Sequence, residues 1–174
     1  MSKTIICDLD NTLINTNDAL IKFENKFTLK FNINEKLPFI INNYNEERDI
    51  LEKNINILER VSLNKEFKNN ELINFIKENN YKVIIATKRN MSIYYLCKIK
   101  DILDDIIIED IYFDMLEKDK IFLYKHFNAE YIIEDNPDIM KVNNSNVKLI
   151  LVNKEWNKEF ESNDKLNFGR IFTI

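Results

Sequence analysis

Two carboxylates stand two residues apart in the run Thr4-Ile5-Ile6-Cys7-Asp8-Leu9-Asp10, just past a short apolar stretch that reads as a buried strand. Residues i and i+2 of extended backbone project to one side. Asp8 and Asp10 are therefore expected to share a crevice at the strand's carboxyl end, where open α/β sheets take their ligands. Uncompensated, the two charges would repel and raise each other's pKa; a hard cation such as Mg²⁺, which takes oxygen ligands, would remove that cost. A second acidic pair, Glu134-Asp135, follows the apolar run Tyr131-Ile132-Ile133. It leads into Asn136-Pro137-Asp138, a helix cap with Pro at the first helical position. Between the two pairs, Val83-Ile84-Ile85-Ala86 ends in Thr87, whose hydroxyl suits a phosphate oxygen. Lys88 and Arg89 follow as cations able to hold a phosphate or a substrate carboxylate.

Each of these features has an ordinary reading: a solvated Asp-x-Asp turn, a β-branched strand residue, loop charges in water, or acids complementing a helix dipole. Their order is what stands out. Asp8-Leu9-Asp10-Asn11-Thr12-Leu13 is similar to the first motif of the haloacid dehalogenase superfamily of phosphohydrolases. That resemblance implies that Asp8 attacks phosphorus and forms an aspartyl-phosphate, while Asp10 protonates the leaving oxygen and later activates water. The nucleophile must then be ionised while Asp10 carries a proton, so their environments should push the two pKa values apart. Asn11 replaces the glycine often found there, and Asn tolerates left-handed backbone better than most residues.

By the same resemblance the family's Ser or Thr falls on Thr87. The lysine that neutralises the nucleophile and the phosphoryl group falls on Lys118, three residues before Ile121, the first apolar residue of its helix; Lys120 is the alternative. The final acidic motif would place Asp135 on Mg²⁺ beside Asp8 and Asp10, with Glu134 on or next to the metal and Asp138 helping to position the lysine. Asn11, Thr12, Lys88 and Arg89 would surround the substrate. A receiver domain uses similar ingredients, but its accepting Asp lies on a middle strand and its Lys after a later one. A lysine between Thr87 and the last acids fits the hydrolase.

The turn Ile133 to Asp138, the later Val152-Asn153-Lys154-Glu155-Trp156-Asn157 and Arg170-Ile171 together look like the deoxyribonucleotidase branch, implying a nucleoside monophosphate as substrate. Thr87-Lys88-Arg89 with the segment Lys118 to His126 also resembles the 3′-phosphatase part of polynucleotide kinase-phosphatases, where Arg89 and Asp114 would matter for catalysis. A catalytically silent binding protein on the same fold is the reading from another class. Nothing in the motifs requires it.

Five apolar runs are expected as strands: residues 3–7, Val83–Ala86, Ile106–Ile108, Tyr131–Ile133 and Lys148–Val152. Helical spacing appears at Leu72, Phe75 and Ile76, from Met91 to Leu103, and from Ile121 to Phe127. This alternation predicts a three-layer α/β/α, Rossmann-like parallel sheet. Asn15 to Lys68 is too long for a crossover connection. Its stripes Leu20, Phe23, Phe27, Phe31 and Ile50, Leu51, Ile55, Leu58, Val61, broken near Pro38, predict a small helical cap at residues 15–68 inserted into a core of residues 1–14 and 69–174. In the superfamily such a cap chooses the substrate, and one of this size encloses a small molecule. Phe23, Phe27, Phe39 and Tyr44 could stack on a base, though aromatic residues at helical spacing are more often core.

The chain has 174 residues, 45% apolar and 31% charged, which suits one domain with a full core. Its single glycine, Gly169, excludes every glycine-rich phosphate loop. Two Cys and one His are too few for a thiolate or imidazole zinc site, so any metal must be held by oxygen. A net charge of −4 and a pI near 5.2 disfavour broad adhesion to nucleic acid or anionic membrane. The expected partner is a small phosphorylated molecule, with nucleic acid only under the 3′-phosphatase reading. Asp8 arrives too early for a secretory apolar region, and no apolar run approaches the ~18 residues of a membrane span. The expectation is a soluble cytoplasmic protein using Mg²⁺.

Overall fold

The computed structural model describes residues 3–19, 22, 60, 62–142 and 146–174. Most of the segment 15–68 lies outside them, including its two helical stripes and the aromatic residues Phe23, Phe27, Phe39 and Tyr44.

Among the described residues seven strands form one sheet: β1 (Thr4–Cys7), β2 (Lys82–Ala86), β3 (Ile107–Tyr112), β4 (Ile132–Glu134), β5 (Lys148–Val152), β6 (Lys165–Leu166) and β7 (Gly169–Thr173), in the order β3-β2-β1-β4-β5-β7-β6. The first five pair in parallel, as the apolar runs predict. β6 and β7 add an antiparallel edge that no long apolar run announced. β3 runs to Tyr112 rather than stopping at Ile108, because as an edge strand it tolerates the exposed charges Glu109 and Asp110.

The helices whose full extent is described are α1 (Asn70–Glu78), α2 (Ile93–Ile102) and α3 (Glu117–His126). Strand alternation sorts them into layers. Ile5, Cys7, Val83, Ile85 and Ile133 pack with Leu72, Ile73 and Ile76 of α1 and with Tyr95, Ile99 and Ile102 of α2. Ile6, Ile84, Ala86 and Ile132 pack on the opposite face with Ile121 and Leu123 of α3. The molecule is thus a three-layer α/β/α arrangement around a mostly parallel sheet. Ile5, Ile6 and Ile84 are fully buried at its centre, where each side chain removed from water contributes about 1.5–3 kcal/mol.

Chain direction reverses beside β1. The β1–β2 and β2–β3 crossovers run one way with α1 and α2 on one face. The β3–β4 crossover runs back past β1 with α3 on the other face, as a single crossover hand demands. A topological switch point therefore lies between β1 and β4, where a crevice opens at the strands' carboxyl ends.

The segment after β1 leaves and re-enters side by side. Ile14 bridges Lys68, the Asn15 N–H donates to the Phe67 carbonyl (2.7 Å), and the Asn69 N–H donates to the Leu13 carbonyl (2.9 Å). Left-handed backbone falls on Asn11, Asn80, Asp114, Asn128 and Asn146 rather than on glycine. Gly169 is needed for something else: a Cβ there would sit 2.9 Å from the Leu151 carbonyl oxygen across the β5–β7 pair. Among the described residues no helix is long and apolar enough to cross a membrane.

Candidate active site

Strand register builds the centre of the site. Cys7 pairs with Ile133, and the Asp8 N–H continues the ladder to the Ile133 carbonyl (2.9 Å), so Asp8 lies beside Glu134. Both follow the alternation of Ile6 and Ile132 and face α3. On that helix Lys120 is 1% exposed, and its Nζ donates to Asp8 Oδ1 at 2.6 Å and to Glu134 Oε2. Lys118, the lysine favoured from the sequence, is exposed. It sits about 200° around the helix from Lys120 and so points off the sheet. The structure assigns the buried ammonium to Lys120.

Carboxylate oxygens of Asp8, Glu134 and Asp135, all buried, lie within 4.8 Å of one another. Three carboxylates share one lysine. Burial, with Glu134 alongside, pushes Asp8 up to about 7 against the lowering pull of Lys120. Asp135 is raised well above the usual carboxylate range by burial and then by the charges of Glu134 and Asp8. Burial works against the charge on Lys120, but its two acidic partners hold its pKa above the ordinary lysine value. An oxygen-only donor set with surplus negative charge in a dry site fits a hard divalent cation, and Asp8, Glu134 and Asp135 are the residues that would hold one.

Asp10 stands apart from this cluster. The strand ends at Cys7, so the i, i+2 rule of extended backbone does not carry through the turn that follows. Asp10 instead accepts from Arg89 Nε (2.8 Å) and Nη2 (2.5 Å) and from the Thr16 hydroxyl (2.6 Å). The structure pairs it with Arg89 and does not bring its carboxylate into the cluster of Asp8, Glu134 and Asp135. Burial would raise Asp10, but the Arg89 charge and the hydrogen bonds hold it below the usual range. The two pKa values are pushed apart, as expected, yet in the opposite order, since Asp8 takes the desolvation and Asp10 takes the guanidinium.

Arg89 is neither a solvated loop charge nor aimed at an open pocket. It is buried, donates also to the Ser62 hydroxyl (2.7 Å) and lies 5.5 Å from the centre of the Tyr95 ring. Asp114 is exposed, and its backbone N–H donates to the Arg89 carbonyl (3.0 Å), bracing that loop instead of reaching the carboxylates. Lys88 pairs with Glu117 at 2.5 Å. Thr87 is buried, and its hydroxyl oxygen accepts from the Arg89 N–H (3.2 Å), so its hydrogen can still be given to a ligand oxygen.

The turn after β1 is held by its own sequence. Leu9, Leu13 and Ile14 are buried, Asn11 takes φ 56°, and the Asn11 amide exchanges hydrogen bonds with Asn17 (2.9 and 3.2 Å). Thr12, fully buried, donates to Asp135 Oδ1 at 3.4 Å. After β4, Asn136 caps Asp138 N–H (3.0 Å) and Pro137 opens a 3₁₀ turn, as the sequence implies. Asp138 does not reach the buried Lys120. It is half-exposed and pairs with Lys141 at 2.6 Å, because the turn points its side chain outward.

Residues that the sequence left without a role brace Asp135 from behind. Its carbonyl accepts from Trp156 Nε1 (3.2 Å) and Asn157 Nδ2 (2.8 Å); Asn157 also donates to the Val152 carbonyl (2.8 Å) and accepts from Arg170. Lys154 reaches Asn15 at 2.9 Å. Burial lowers its pKa, opposed by Asp135 and Asp18. Ser62 and Thr16, at the two roots of the inserted segment, hold the Asp10–Arg89 pair. A buried Trp-Asn just past an apolar strand was the one visible hint of the brace.

No family model matches the chain, and no curated protein sequence matches it. Among solved structures the chain is similar to a protein described as a beta-phosphoglucomutase from Thermotoga maritima, at 15% identity over 77% of this chain and 76% of that one, TM-score 0.42. It is also similar to a HAD-superfamily hydrolase of subfamily IA, variant 1, from Geobacter sulfurreducens PCA, at 11% identity over 87% and 89%, TM-score 0.48. Scores below 0.5 fix neither family nor activity.

Proposed function

We propose that the protein is a phosphomonoesterase of the haloacid dehalogenase type, acting through an aspartyl-phosphate on Asp8 and requiring Mg²⁺. One observation carries the reading: Asp8, Glu134 and Asp135 converge with the buried Lys120 at the sheet's switch point. Bound among the three carboxylates, Mg²⁺ would neutralise them and draw charge from the phosphoryl oxygens.

Asp8 attacks phosphorus, so that a P–O bond to its carboxylate forms as the ester P–O bond breaks. Lys120 offsets the negative charge that gathers there, and the Thr87 hydroxyl donates to a phosphoryl oxygen. Asp10 gives a proton to the leaving oxygen and takes one from the water that later hydrolyses the intermediate. In this structure its carboxylate rests on Arg89, so that role requires it to leave the guanidinium.

A small phosphorylated metabolite is the proposed substrate, with nucleoside monophosphates first, on the resemblance of the Ile133–Asp138 turn and the Trp156-Asn157 segment to deoxyribonucleotidases. Their observed task is to hold Asp135, so they support the architecture of that branch and not a base-binding pocket. Purified protein is expected to hydrolyse members of a phosphomonoester panel with Mg²⁺, to stop on chelation, and to lose turnover as Asp8→Asn. Unchanged turnover in Asp8→Asn would sink the aspartyl-phosphate route, and no turnover of any phosphomonoester by the wild type would leave a binding protein. Comparing mononucleotides with 3′-phosphorylated oligonucleotides decides the substrate class.

A further inference from the structure

Glu117 opens α3, where the N–H of Leu116 is taken by the carboxylate of Asp119 (2.9 Å) and not by that of Glu117. Its own carboxylate reaches elsewhere. Glu117 Oε1 accepts from Lys88 Nζ at 2.5 Å and from Asn136 Nδ2 at 2.8 Å, with the side chain 16% exposed. Lys88 belongs to the loop after β2 and Asn136 to the loop after β4, the two strands that flank β1. A single oxygen atom therefore joins the loop carrying Thr87, the loop carrying Asp135 and the helix carrying Lys120.

The join is tight on every side. Asn136 cannot turn its amide, since its Oδ1 already accepts from the Asp138 N–H (3.0 Å) and only Nδ2 is left to face Glu117. Its backbone N–H, with that of Asp135, donates to Glu134 Oε1, each at 3.2 Å. Lys120 lies three residues after Glu117, on the same side of the helix, so fixing Glu117 fixes how far α3 is advanced and turned toward Asp8.

We propose that Glu117 is a positioning residue of the phosphoryl-transfer site, clamping the loops after β2 and β4 to the first turn of α3 so that Lys120 meets Asp8 and Glu134. It touches neither substrate nor reacting atoms. The inference rests on the proposed function and adds a residue to it.

The test is a kinetic double-mutant cycle at saturating Mg²⁺ on a phosphomonoester that the wild type turns over, with melting temperature recorded for each variant. Glu117→Ala is expected to lower kcat by up to about 100-fold, the scale of a misplacement near 1 Å, while KM changes far less. Glu117→Gln keeps an oxygen that can accept from both Lys88 and Asn136, and should recover much of the loss. In a Lys120→Ala background Glu117→Ala should cost nothing further in kcat, because its whole effect runs through that lysine.

Losses that multiply in the double variant, or a lower melting temperature with kcat intact, would overturn the clamp and leave the phosphatase standing. A wild type without turnover of any phosphomonoester would remove the proposed function and this inference together.

Discussion

Lys120 and Lys118 sit two residues apart on one helix, and exchanging each for a neutral residue separates the observed site from the one expected from sequence. Lys120→Met keeps most of the buried methylene stem and removes the ammonium from Asp8 and Glu134, both buried. Breaking a buried ion pair from one side costs about 3–5 kcal/mol, since the partner charges stay behind unpaired. For a chain of this size each kcal/mol lowers the melting temperature by about 2–4 °C, so the metal-free variant should melt roughly 6–20 °C lower. Lys118→Met, on an exposed face, should stay within about 0.5 kcal/mol of the wild type. Thermal unfolding in EDTA at pH 7.5 reads the first quantity, and turnover with Mg²⁺ reads the second, where only Lys120→Met should lose most of its rate while keeping a measurable remainder. The assignment is refuted if Lys120→Met melts with the wild type, or if Lys118→Met alone abolishes turnover.

Two further outcomes follow from the charges. Asp8 is raised from 3.8 to about 7 in the folded metal-free protein, so between those values the native state binds a proton that the unfolded state has lost. Stability from this group is full below pH 3.8 and drains away as pH rises to about 7, by an upper bound near 4 kcal/mol at 1.36 kcal/mol per unit. Urea unfolding against pH should show this decline in EDTA, show a weaker one in Asp8→Asn, where the raised Asp135 still contributes, and show a Mg²⁺-dependent recovery that grows with pH; a metal effect independent of pH would count against the carboxylate site. Separately, Asp10→Asn and Arg89→Met should be coupled by about 0.5–3 kcal/mol in a cycle read by urea unfolding, the range for partners in one network. Coupling near zero would mean that solvent screens the pair.

The layers were legible because alternation of buried strands and amphipathic helices leaves a strong trace, and Asp8, Thr87, Glu134 and Asp135 were legible because they follow apolar runs directly. Lys120 and Asp10 were less legible. Lys120 lies on the inner stripe of α3 with Leu123, Tyr124 and Phe127, at spacings 3, 4 and 7, and that periodicity was present in the sequence. A lysine on an apolar stripe was taken for surface charge when it was the buried one. Asp10 could not have been placed: whether a carboxylate one turn past a strand faces the metal or an arginine 79 residues on depends on tertiary packing, which carries no local pattern. The clamp by Glu117 was invisible for the same reason, since it joins segments far apart in the chain, and the brace by Asn157 showed only as a Trp-Asn pair past an apolar strand.

Topology also accounts for the order of the motifs. Asp8 and Glu134 face the α3 side of the sheet, and among the described helices only α3 packs there beside the switch point, because α1 and α2 serve crossovers running the other way. Of the three helices, only the one between β3 and β4 can then lay a lysine across both carboxylates. That places it after Thr87 and before Glu134 in sequence, whatever its neighbours are. The succession of Asp, Thr, Lys and the acidic pair is thus what a single crossover hand produces when one reversal of direction is made beside β1. Moving the lysine to α1 or α2 would put it on the face of Cys7 and Ile133, behind the sheet from the groups it serves.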